Sequence, residues 1–99
     1  MAKLAEAAAT KYRIPWRIDY VSGSKYLLIN GGDEYEHDVT IEGSFVIDSP
    51  VSQERMDPGG AVEFIAPRGW TDRDPNVTVR WYRSPGKTGE PLEWRYPLT

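Results

Sequence analysis

A chain of 99 residues with no cysteine excludes disulfide frameworks, thiolate catalysis and sulfur-ligated metal centres. Its net charge of −3 gives no electrostatic footprint for nucleic acid or an anionic membrane surface. Apolar residues make up only 39% of the chain, so a single core must lean on its aromatics, four Trp and six Tyr among them, each of which buries about 150–250 Å².

Residues 1–11, with Leu4 among alanines, favour helix by propensity but carry no apolar stripe that would dock one. They read as a flexible or short helical N-terminal arm, and residues 12–99 as one domain. From Tyr12 the pattern becomes β. Trp16, Ile18 and Tyr20 alternate with Arg17, Asp19 and Val21, Ser22-Gly23-Ser24 turns the chain, and residues 26–30 return it, which predicts a hairpin. Gly31-Gly32-Asp33-Glu34 is a second turn. Residues 37–42 resume with Val39 and Ile41 inward and Thr40 and Glu42 toward water, and residues 44–47 read as a further short strand or a continuation past a bulge at Gly43. Ser49-Pro50 and Asp57-Pro58-Gly59-Gly60 bracket a loop or weak edge strand, followed by a strand over 61–66. After a polar loop at 68–75, Val77, Val79 and Trp81 alternate with Thr78, Arg80 and Tyr82, and Leu92, Trp94, Tyr96 and Leu98 close the sheet. About seven short antiparallel strands with turns between them predict an all-β sandwich.

The order Leu28-Ile29-Asn30-Gly31-Gly32-Asp33, Asp38-Val39-Thr40-Ile41, Met56-Asp57-Pro58-Gly59 and Val62-Glu63-Phe64 resembles bacterial immunoglobulin-like modules related to the cell-adhesion-related domain of bacteria. That family repeats an N-x-G turn, a V-x-[VI] strand and an L-x-P-G turn in this order. The opening Trp16-x-Ile18-x-x-Val21-Ser22-Gly23 and the closing Val77-Thr78-Val79-Arg80-Trp81 are similar to small sandwich domains of actinobacterial and actinophage proteins. The resemblance spans roughly four-fifths of the chain and rests on turn chemistry. Met56 stands where the family has Leu, and a strand is added after Trp81. What it implies is an immunoglobulin-like fold of about seven strands and a non-catalytic role, with no active site to carry over.

The residues agree with that role. His37 is the only histidine, and its flanks Glu36 and Asp38 should hold it as a solvated cation rather than a poised base. No G-x-S-x-G elbow is present. Asp33, Glu34, Glu36 and Asp38, and separately Asp72 with Asp74, offer oxygens for a hard cation, but Arg73 interrupts the second group and no EF-hand spacing exists, so solvated turns are the preferred reading. No cofactor or metal is expected. Trp16, Trp81 and Trp94 share phase with Ile18, Val79 and Leu92 and are assigned to the core.

Contact candidates are therefore peripheral: Trp70 with Asp72, Arg73 and Asp74 on the loop, and Arg80, Tyr82 and Arg95 on one sheet face, with Arg17 and Arg83 nearby. The alternative for the face is a set of salt bridges using Glu63 and Glu93. The expected function is a non-catalytic protein-interaction module, phage-encoded or virion-associated. A carbohydrate-binding module using Tyr82 with Trp94 is the alternative, and a structural spacer or oligomerisation unit the third reading. The partner is an unidentified protein rather than nucleic acid, the chain a monomer or small homo-oligomer. With no ~20-residue apolar run or export signal, the expected location is the cytoplasm or, if phage-encoded, the virion.

Overall fold

The computed structural model describes residues 13–67 and 76–98. The expected N-terminal arm lies outside the described residues, as does the loop carrying Trp70, Asp72, Arg73 and Asp74. Seven strands are present among the described residues: β1 (Trp16–Ser22), β2 (Lys25–Asn30), β3 (Glu36–Glu42), β4 (Val51–Met56), β5 (Ala61–Ile65), β6 (Asn76–Tyr82) and β7 (Leu92–Pro97). They form two antiparallel sheets, β1-β2-β5 and β4-β3-β6-β7, stacked as an all-β sandwich.

Alternation decides which side chains meet between the layers. Trp16, Tyr26, Leu28 and Phe64 come from the three-stranded sheet, and Val39, Ile41, Met56, Val77, Val79 and Trp81 from the four-stranded one. Aromatic contacts fill the middle: Tyr26 stacks on Phe64 at 5.6 Å, and Trp16 meets Trp81 edge-on at 5.5 Å. The β1–β2 hairpin forms as the alternation predicts, with Gly23 at φ 57° in its turn and a register shift between Tyr20 and Ser22.

Three local expectations are corrected. Residues 44–47 are a turn and not a strand: the Val46 N–H donates to the Gly43 carbonyl at 3.1 Å, closing the turn, and the Ile47 N–H to the Ile65 carbonyl at 2.9 Å, tying it to the end of β5. Val46 is buried, and a Cβ on Gly43 would meet its Cγ2 at 2.9 Å, which explains the glycine there. The bulge lies earlier than Gly43, between His37 and Thr40, where Asp38 has φ 50°. Trp94 is only half-buried: β7 is an edge strand, so its inward row of Leu92, Trp94 and Tyr96 is incompletely covered, and Trp94 rests against Tyr96 at 5.0 Å.

Candidate interaction surface

The bulge in β3 governs one end of the sandwich. An even alternation running back from Val39 would place His37 inward and Glu36 outward. The extra residue at Asp38 resets the phase, so Glu36 is turned into the interior, only 1% exposed, three positions before buried Val39. Its solvated reading is thereby corrected. His37 lies half-buried, in register with Tyr82 on β6 and Arg55 on β4.

Beside Glu36 stands the polar hub of the fold. Asn30 ends β2 fully buried, and its Nδ2 donates to the carbonyls of Glu34 at 2.8 Å and Met56 at 3.1 Å. Its Oδ1 accepts from the Gly32 N–H at 3.0 Å. The backbone joins in, with the Asn30 N–H donating to the Gly60 carbonyl at 2.9 Å and the Gly59 N–H to the Asn30 carbonyl at 2.7 Å, Gly59 holding φ 82°. One side chain thus ties the Gly31-Gly32 turn to the Asp57-Pro58-Gly59-Gly60 turn. That connection is the physical reason the two turn motifs occur together.

Burial raises the Glu36 carboxyl from the ordinary 4.5 to about 7, with the Glu34 charge adding to the rise and Arg83 opposing it. The folded state then keeps a proton that the unfolded chain gives up. Glu36 supports folding fully below pH 4.5 and loses that support as the pH climbs to about 7. At about 1.4 kcal/mol per tenfold change, the loss amounts to about 3 kcal/mol at most. Urea unfolding of the wild type and of Glu36→Gln at pH 4.5 and pH 8 should show this decline in the wild type alone, and equal pH profiles would refute it.

Outside this end, β3, β4 and the tip of the β6–β7 hairpin enclose an open groove of about 980 Å³ whose polar lining includes His37, Asp38, Glu54, Arg55, Asp57 and Lys87. Left-handed Gly86 (φ 74°) and Lys87 (φ 55°) bend the hairpin so that it meets the groove. Arg55 pairs with Asp57 at 3.0 Å and lies 5.2 Å over the exposed ring of Tyr35. Arg83 grips Glu34 through Nε at 3.1 Å and Nη2 at 2.6 Å. Lys87, Glu54 and Asp38 have no salt-bridge partner among the described residues.

Of the sequence candidates, Arg80, Tyr82 and Arg95 fall together on the outer face of the four-stranded sheet, adjoining the groove through the Tyr82–His37 register. Arg80 bridges Glu42 at 2.6 Å and Glu93 at 3.1 Å, and the Glu42 hydrogen bond holds its guanidinium above its ordinary range. The face is therefore laced as the salt-bridge alternative supposed, with Glu42 as the added member. Glu63 belongs elsewhere, paired with Lys25 at 3.2 Å on the other sheet, where Arg17 also sits with Asp19. Tyr82 and Trp94 lie on opposite faces of the sheet, Trp94 being in register with inward Val79. The four acidic residues at 33–38 do not converge, and no three His, Asp or Glu side chains gather at one point among the described residues. Tyr35, Arg55 and Lys87 were not singled out in the sequence. Only the turn residues near them, Asp57-Pro58-Gly59 and Pro85-Gly86, pointed to that end of the molecule.

Comparison with protein-family models, curated proteins and solved structures gave no match.

Proposed function

We propose that this chain is an immunoglobulin-like, non-catalytic module that binds a protein partner through the outer face of its four-stranded sheet and the adjoining groove. The strand order supports the immunoglobulin-like reading: strands one, two and five share a sheet, and strands three, six and seven share the other, with strand four beside strand three as in variable-type domains. The observation that carries the binding role is an open groove lined by His37, Arg55 and Lys87, with exposed Tyr35 against Arg55 and Tyr82 in register with His37. Tyr and Arg are enriched where proteins meet because each brings large contact area together with directional hydrogen bonding.

The similarity of the opening and closing segments to small actinobacterial and actinophage sandwich domains supports an accessory or virion-associated role. The carbohydrate reading rests on a different pair, half-exposed Trp94 and Tyr96, but these rings are tilted by 39° instead of forming one flat platform, so the protein-binding role is preferred. With the partner isolated by affinity capture, replacing both Tyr35 and Arg55 by Ala should weaken binding by about 2 kcal/mol, roughly 30-fold in Kd. Lys25→Ala on the opposite sheet should leave it unchanged. Retention of wild-type affinity by the double variant, measured by calorimetry, would remove the groove from the interface.

A further inference from the structure

Among the described residues two buried side-chain atoms lack a hydrogen-bond partner, Trp16 Nε1 and Glu36 Oε1, one a donor and the other able to accept. They lie toward the same end of the sandwich, on facing sheets. Trp16 is the register partner of Asn30 and Glu36 that of Met56, and Asn30 bonds to the Met56 carbonyl. An ionised carboxylate at such a place is costly unless a cation reaches it, whereas the uncharged acid costs much less there.

The charges around Glu36 leave one way out. From β1 and β2 it is faced by uncharged Trp16 and Asn30. On β4, Arg55 and Asp57 flank Met56 and neutralise each other. On β3 itself, His37 and Asp38 line the groove, and the preceding turn brings Asp33 and Glu34. Beyond Tyr82 on β6 stands Arg83, the cation among the described residues that favours the Glu36 carboxylate, and it already pairs with Glu34.

We infer that Glu36 is a proton-operated latch: uncharged, it lies inward and closes the start of β3 onto the Asn30–Met56 layer; ionised, it leaves the interior for Arg83, competes with Glu34 and reshapes the His37–Arg55 wall of the groove. The two states share one guanidinium and differ in which carboxylate holds it, which makes the element bistable. Desolvation by burial holds the inward carboxyl up at about 7, and release to a solvated position draws the transition down from there toward the ordinary 4.5.

The indole N–H signal of Trp16, linked to Glu36 through the Asn30–Met56 bond and followed by NMR in ¹⁵N-labelled protein from pH 4 to 9, reports on the latch. In the wild type it should move in one step centred between pH 4.5 and about 7, and in Glu36→Gln it should stay fixed. Glu34→Gln, which removes one carboxylate from Arg83 together with the like charge beside Glu36, should bring the step to lower pH. A flat wild-type signal would overturn the inference. So would a step that persists in Glu36→Gln, or one that disappears in His37→Gln instead, since either assigns the proton elsewhere.

Discussion

Asn30→Asp should unfold at far lower urea than the wild type at pH 7, with a loss of about 3–5 kcal/mol, the range for a buried charge left without a partner. The substitution changes almost no volume. It replaces the Nδ2 donor, which serves the Glu34 and Met56 carbonyls at 2.8 and 3.1 Å, by an oxygen that confronts both. The Gly32 N–H can still be accepted, and the backbone bonds to Gly59 and Gly60 remain, so the damage is electrostatic and local to two carbonyls. Protonation restores one donor for those two acceptors. Part of the loss should therefore return as the pH falls from 7 toward 4, and Asn30→Ala, which cannot regain a donor, should show no such recovery. A penalty under 1 kcal/mol at pH 7 would mean that the two turns hold together without this side chain.

Asn30 also shows where sequence reading reaches its limit. Its place before Gly31-Gly32 marks a turn, because a short amide side chain followed by glycine favours one. The second half of its role depends on Met56, 26 residues away, and no local pattern reports that. Strands were legible where one face is buried and the other wet, as in β1, β2, β6 and β7. Strand β4 was read only as a weak edge because Ser52, Gln53, Glu54 and Arg55 are all exposed, so burial leaves no mark on it. Phe45-Val46-Ile47 misled in the opposite sense: three apolar residues suggest a strand, but Val46 alone is buried and the segment closes on itself.

Glu36 escaped for a related reason. Period two is trustworthy only while a strand is regular, and the Asp38 bulge shifts the phase by one residue where no glycine announces it. The outer face carrying Arg80, Tyr82 and Arg95 followed from alternation within β6 and β7. The groove beside it did not, because it is assembled from β3, β4 and a hairpin tip whose proximity comes from strand order, a property with no local signature.

Trp81→Ala should be the most damaging truncation in the interior, at about 3–5 kcal/mol, because the loss of buried apolar surface and the cavity left behind add together. Trp81 is fully buried one residue before the end of β6, which lies between β3 and β7 in its own sheet, and its ring meets that of Trp16 across the layers at 5.5 Å and 85°. Removing it strips Trp16 of an edge-to-face partner worth about 0.5–1.5 kcal/mol beyond area alone. It also loosens the layer that holds Asn30 and Glu36, since Trp16 is in register with Asn30. Trp81→Phe keeps a ring and most of the volume and should cost about 1–3 kcal/mol. Guanidinium unfolding of both variants, followed by circular dichroism, checks the order. If Trp81→Ala proved no worse than Trp94→Ala, on the half-covered edge strand, the centre of the core would have been placed on the wrong tryptophan.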